Sequence, residues 1–173
     1  LALILNRPWL SGGVFRTLYY LPNVLSTSVI GLIFLAVLGA SDAGLVNAFL
    51  RALGISPIAF LLDSRWAMPS VAFATLWWTV GFNMLILLAG LQGIPEEIND
   101  AAKVDGASEW QRFWRITLPL LRRSLMLVTT LTVISSFQVF GQIDVMTKGG
   151  PGGQTRSIVY YIFERSFTQY QLG

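Results

Sequence analysis

Glu96, Glu97, Asp100 and Asp105 are the densest grouping of titratable side chains in the sequence. Carboxylates this close could ligate a divalent cation or divide acid and base work between them. The rest of the chain does not support either use. Histidine is absent, which removes the commonest general base and metal ligand, and cysteine is absent, which removes thiolate chemistry and disulfides. Position explains the acids more simply. Pro95 suits the first position of a helix, and Glu96 and Glu97 behind it put negative charge at the positive end of the helix dipole. The run GGPGG at 149–153 lacks the GK[ST] ending of a phosphate-cradling loop, and its proline removes an amide donor, so it reads as an external turn. No catalytic residue, metal or cofactor is expected.

The elements that must position these groups are apolar. The chain has 173 residues, 54% hydrophobic and 12% charged, with a mean hydropathy of +0.61, against roughly 25% charged in an ordinary soluble domain. Windows 17–41, 66–95 and 124–143 contain no Asp, Glu, Lys or Arg, and each can supply the ~20 residues of a spanning helix. A soluble all-helical protein with charge-free faces this long would aggregate. Net charge +3 with a pI near 9.6 does not imply nucleic acid, because the twelve basic residues are scattered without a basic stripe. The expected architecture is a multi-pass α-helical protein of a cell membrane, in contact with lipid.

Residues 1–5 read as the end of an earlier span, followed by a loop with Arg7, Pro8, Ser11 to Gly13 and Arg16. Complete spans are expected at about 18–40, 67–91 and 120–143, with Tyr19, Tyr20 and Trp66 as interfacial anchors. Leu45, Phe49 and Leu53 recur at four-residue spacing. This stripe is expected to pack against neighbouring spans, with a helix lying flat on the membrane as the alternative. After the third span come the turn KGGPGGQT and a helical segment SIVYYIFERSFTQY. LALIL and YQLG read as cut ends of a longer protein. Lysine and arginine favour one face as cytoplasmic, seven against five: the face with Arg7, Arg16, Lys103, Arg112, Arg115, Arg122 and Arg123.

The insert EEINDAAKVDGASEWQRFWRITLP carries five of the nine acidic residues. Ile98, Ala101 and Ala102 share one helix face, and Asp105-Gly106 stops that helix, since glycine adopts the left-handed conformation without steric cost. Ser108 with Gln111 is a capping box that starts a second helix. This helix presents Trp110, Phe113 and Trp114 on one face and Glu109, Arg112 and Arg115 around the other, and Pro119 closes it before the third span. Residue types alone leave two readings open: a knob that docks on a partner, and an amphipathic loop resting on headgroups.

The order of residues resembles the cytoplasmic signature of permease subunits of binding-protein-dependent ABC importers: E-A-A, three residues, G, then nine residues to I-x-L-P. Here it reads Asp100-Ala101-Ala102, Gly106 and Ile116-Thr117-Leu118-Pro119, with aspartate where glutamate is usual. FRTLYYLPNVLS, GFNMLILLAGLQGIP, DGASEWQRFWRITLPLL and FQVFGQIDVMTKGGP are similar to the subgroup that imports sugars and polyols. The resemblance implies an all-α polytopic fold, with residues 1–173 a fragment of one transmembrane domain holding the end of span two, spans three to five and the approach to span six. Within it, 95–119 would be a cytoplasmic coupling loop. Asp100, Ala101, Ala102, Asp105, Gly106, Trp110, Phe113, Leu118 and Pro119 would then meet an ATP-binding cassette subunit, where ATP is hydrolysed. The implied partners are that ATPase, a second permease subunit and an extracytoplasmic solute-binding protein.

Polar residues inside the spans are the candidates for solute contact. Thr75, Thr79 and Asn83 form one line, and Thr132, Ser135, Ser136, Gln138 and Gln142 cover about half of a helix circumference. Helix-to-helix hydrogen bonding, commonly ~0.6 kcal/mol per contact, is the expectation for Thr75, Thr129 and Thr132. Asn83, Ser136 and Gln138, with Trp78 or Phe82 as an apolar platform, suit the hydroxyls of a sugar or polyol, and the spans offer no fixed charge to hold an ion. The competing expectations are a non-sugar solute such as phosphate, an amino acid or a peptide, and a non-transport membrane interaction protein.

Overall fold

A computed structural model of the chain describes residues 2–5, 12–40 and 44–168. In order the helices are α1 Ala2–Leu5, α2 Gly12–Val24, α3 Thr27–Leu38, α4 Leu45–Ala52, α5 Ala67–Gln92, α6 Glu96–Val104, α7 Glu109–Arg112, α8 Leu118–Leu120, α9 Arg122–Phe137, α10 Gly141–Met146 and α11 Ile158–Phe163. Wider π-helical turns cover Phe113–Thr117 and Glu164–Thr168. The loop at Arg7, Pro8 and Ser11 and the YQLG end lie outside the described residues.

Among the described residues α5 alone is long and apolar enough to cross a membrane unaided. Its 26 residues reach about 39 Å at the helical rise. The segments expected as the first and third spans qualify only as broken pairs of helices. In the first, Pro22 lies inside α2 and removes an amide donor from the ladder. The Leu25 N–H donates to the Pro22 carbonyl at 3.2 Å, and extended Ser26 begins α3 by accepting the Val29 N–H on its Oγ. The helix also begins earlier than expected, at Gly12, so Arg16 belongs to α2 and not to the loop before it. The third span is bent by 66° where α8 meets α9. It also ends at Phe137, where the Gln138 N–H turns back onto the Ser135 carbonyl, and α10 starts separately at Gly141.

The chain divides into two compact units, 1–21 with 80–133 and 22–79 with 134–173. In the first, a Cβ on Gly81 of α5 would overlap the Tyr19 carbonyl oxygen of α2, so these helices touch backbone to backbone at a residue with no side chain. Met84, Leu88, Leu91, Ala102 and Leu121 are buried in this unit.

In the second unit, Ile30, Phe34 and Leu38 of α3, Val71 and Ala74 of α5, and Ile143 and Met146 of α10 join Leu61 and Tyr160 in one buried cluster. Phe34 meets Phe73 and Trp77 edge-on, with ring centroids 5.9 and 5.6 Å apart. α4 contributes no apolar anchor to it beyond a partly buried Val46. Its buried residue is Asn47, whose Nδ2 donates to the carbonyls of Gly39 and Ile58 at 3.0 and 2.9 Å while Oδ1 accepts the Ile58 N–H at 2.9 Å. Leu45, Phe49 and Leu53 are 65%, 66% and 59% exposed, so among the described residues their stripe does not pack on the spans of this chain. The loop backbones flanking this short helix need hydrogen-bond partners once buried, and Asn47 supplies them by turning the polar side of α4 inward.

Asn47→Ala therefore leaves half-buried loop groups without their protein partner, a loss of about 1 kcal/mol per stranded group. We expect its thermal unfolding midpoint in detergent to fall by several degrees. A midpoint equal to that of the unsubstituted protein would show that Asn47 does not hold these loops.

Candidate functional site

The Glu96-to-Pro119 insert lies wholly within the first unit. α6 starts at Glu96 with Pro95 at the N-cap, one position before the expected site, and carries Glu96 and Glu97 in its first turn and Lys103 in its last. Its end is a Schellman motif. The Gly106 N–H donates to Lys103 O and the Ala107 N–H to Ala102 O, each at 3.0 Å, with Gly106 at φ +76°. Two residues further on, Ser108 caps α7. Its Oγ accepts the Gln111 N–H at 3.3 Å, and the Gln111 Oε1 accepts the Ser108 N–H at 2.9 Å. Every backbone N–H from Asp105 to Ser108 is therefore paired at the corner between the helices.

Pro119 does not end the second helix, as the sequence suggested. The Phe113–Thr117 turn widens, the Leu118 N–H bonds back to Phe113 O, and Pro119 falls at the start of α8, where its missing donor is not needed. The chain then bends at Leu121, whose N–H donates to Thr117 O at 2.9 Å and whose side chain is buried.

The aromatic face forms as expected. Trp110 and Trp114 meet edge-on at 5.6 Å, and Phe113 and Trp114 at 5.4 Å. Trp110 is 70% exposed and Val104 88% exposed. The small-residue face divides: Ala102 is buried within the unit, while Ala101 and Ile98 point to the outside. Asp100 pairs with Lys103 at 2.6 Å on the surface; an exposed pair of this kind contributes little to stability. Asp105 is the exposed C-cap of α6. Arg112 departs from the expectation of a solvent-facing charge. Only 18% of its side chain is exposed, its Nε has no hydrogen-bond partner among the described residues, and Glu109 is 4.0 Å from its guanidinium.

The proposed solute residues belong to both units. In the first, Asn83 Nδ2 donates to Thr132 Oγ1 at 3.4 Å, linking α5 to α9, and Phe82 is exposed. In the second, the Trp78 indole N–H donates to the Leu25 carbonyl at 3.2 Å, and Ser136 and Gln138 are exposed at the end of α9. Thr75 and Thr79 donate to the carbonyls one turn before them, both at 2.9 Å. Gln142 does not continue the polar line of α9, because the helix has already ended. It is fully buried in α10, and its Nε2 lacks a hydrogen-bond partner among the described residues. Neither Asn47 nor Gly81 was singled out from the sequence; a small residue inside an apolar helix was the available signal for the second.

Comparison with known proteins covers the whole chain. Residues 1–172 match the family described as "Binding-protein-dependent transport system inner membrane component". The chain is 40% identical over 172 residues to the trehalose/maltose transport system permease protein MalF of Thermococcus litoralis, covering 99% of this chain and 57% of that one. It is 36% identical over 172 residues to the lactose transport system permease protein LacF of Rhizobium radiobacter, covering 96% and 57%. A crystal structure of a bacterial alginate ABC transporter, in complex with an alginate pentasaccharide-bound periplasmic protein, superposes with a TM-score of 0.82 at 26% identity, covering 98% of this chain and 60% of that one. The chain thus spans somewhat over half the length of these relatives. With a helical fold of this likeness and a match from the first residue to the penultimate one, the chain belongs to the family of binding-protein-dependent transport system inner membrane components.

Proposed function

We propose that the chain is part of a membrane subunit that lines the pathway of an ATP-driven importer for a sugar or sugar-like solute, with the 95–119 knob passing force from a separate ATPase subunit to the spans. The observation that carries this reading is the geometry of the knob. Two helices meet at a corner closed by two crossing backbone bonds and a reciprocal capping box, and they expose Val104 and Trp110. An apolar surface on so stiff a support fits a protein cleft better than a fluid headgroup layer. Asp100, Ala101, Asp105 and Gly106 lie at the exposed corner, Trp110 beside it, and Phe113, Leu118 and Pro119 along the stem that leads to α9. Ala102 supports the corner from inside the unit.

A second permease subunit and an extracytoplasmic solute-binding protein complete the assembly in this reading. The sugar or polyol contacts Asn83, Ser136 and Gln138, with Trp78 or Phe82 as apolar platforms. The likeness to permeases of lactose and of trehalose/maltose transport supports this solute class, as does the absence of Asp, Glu, Lys and Arg from α5. Asn83 keeps its amide oxygen available while Nδ2 holds Thr132.

Two experiments on the complete transporter test these roles. Gly106→Val puts a β-branched side chain in the left-handed region, which costs about 1–2 kcal/mol and opens the corner. We expect uptake to fall at least tenfold in vesicles while basal ATPase activity persists. Gly106→Asn, which tolerates that conformation, should recover most of the uptake; full transport by a correctly assembled Gly106→Val complex would refute the lever. In the second experiment, alanine at both Asn83 and Gln138 should raise the KM for the transported sugar roughly tenfold, as expected from two lost hydrogen bonds. ATPase stimulation by the binding protein should stay intact. An unchanged KM removes these residues from the pathway.

A further inference from the structure

One side of α8 and α9 carries an open groove of about 620 Å³ lined by Leu118, Pro119, Arg122, Leu125, Met126, Thr129 and Thr130. The argument rests on four of these. Leu118, Leu125 and Met126 give it an apolar floor, and Arg122 stands exposed at one end. Arg122 makes no ion pair or hydrogen bond through its side chain among the described residues. From Arg122 to Thr130 the helix rises about 12 Å, close to the ~15 Å depth of one leaflet's hydrocarbon. Such a groove has the dimensions and polarity of a lipid: an acyl chain against the floor and a phosphate at the guanidinium.

We propose that this groove is a binding site for one anionic phospholipid, its headgroup held by Arg122 and one chain lying across Leu125 and Met126. Charge selects the occupant. An apolar protein helix would cover the floor and leave the guanidinium without a counter-charge at the membrane edge, whereas a lipid phosphate satisfies both ends together. Arg123 lies a third of a turn away and is not part of the lining. The proposal goes beyond the transport reading and does not depend on which face of the membrane the knob occupies, because phospholipid phosphate is present on both.

The test uses the complete transporter, purified in mild detergent from vesicles of phosphatidylcholine containing phosphatidylglycerol, with retained lipid counted by native mass spectrometry. Arg122→Gln should reduce retained phosphatidylglycerol roughly tenfold, the loss of one charge-assisted contact, and Arg122→Lys should keep most of it. Met126→Trp, which fills the floor, should expel the lipid although Arg122 remains. Arg123→Gln should leave retention unchanged. Retention equal to that of the unsubstituted transporter in Arg122→Gln or in Met126→Trp would overturn the site, as would a loss in Arg123→Gln equal to that in Arg122→Gln. A structure of the complete assembly with a protein segment in the groove would overturn it as well.

Discussion

From Asp105 to Ser108 every backbone N–H has a hydrogen-bond partner, and that closure is the constraint on which the rest depends. The last turn of α6 gives two carbonyls to the amides of Gly106 and Ala107, and the first turn of α7 exchanges hydrogen bonds with Ser108. Only Gly106, at φ +76°, lies in the left-handed region. A chain of L-residues cannot make this reversal in so few steps without a residue that adopts that conformation freely. The angle between α6 and α7 is therefore fixed by hydrogen bonds on both sides of one residue, and a surface mounted on it moves as a body.

The knob needs a base as stiff as its corner, and the sequence between Phe113 and Leu121 provides one with an unusual turn. A proline in the middle of an α-helix would break the ladder, and a broken ladder would put a hinge between knob and span. Here the turn before Pro119 widens, so the proline falls where no donor is required, and the chain continues into α9 after a single bend. Leu121 at that bend is buried, and Gly90 of α5 lies against Leu121 and Ser124 with no room for a side chain. Within this unit the base of the knob therefore packs on α5 as well as leading into α9. The half-buried Arg112 side chain lies along the same stem, with the exposed Glu109 carboxylate 4.0 Å from its guanidinium.

What could be read from the sequence follows from how local each feature is. The capping box, the stop at Gly106 and the start of α6 depend on residues a few positions apart, and all appear within one position of where the sequence puts them. α5 was readable because its apolar run has no interruption that matters. The other two spans were not, because hydropathy reports how apolar a segment is and says nothing about whether it is straight. Pro22 and Ser26 are the local signals for the first break, and both were hidden inside a charge-free window. The inward turn of Asn47 was further out of reach. Its partners at Gly39 and Ile58 are eight and eleven residues away, and nothing in the Leu45, Phe49, Leu53 spacing reveals that two half-buried backbone groups need an amide more than the core needs a leucine.

Polar side chains in apolar helices divide by chemistry into those that can satisfy themselves and those that cannot. Thr75 and Thr79 return their hydroxyls to the carbonyl one turn earlier, so their polarity is absorbed within the helix and makes no demand on the surroundings. An amide carries two donors and an acceptor at the end of a longer arm, more capacity than one backbone carbonyl can take up. Asn83 spends one donor on Thr132 and keeps its oxygen, and Gln138 stands exposed just past the end of α9. Hydrocarbon can satisfy neither, so each requires water, a partner helix or a hydroxyl-bearing solute. On that reasoning Asn83 and Gln138 must meet something other than hydrocarbon, and the threonines, though more numerous, need not.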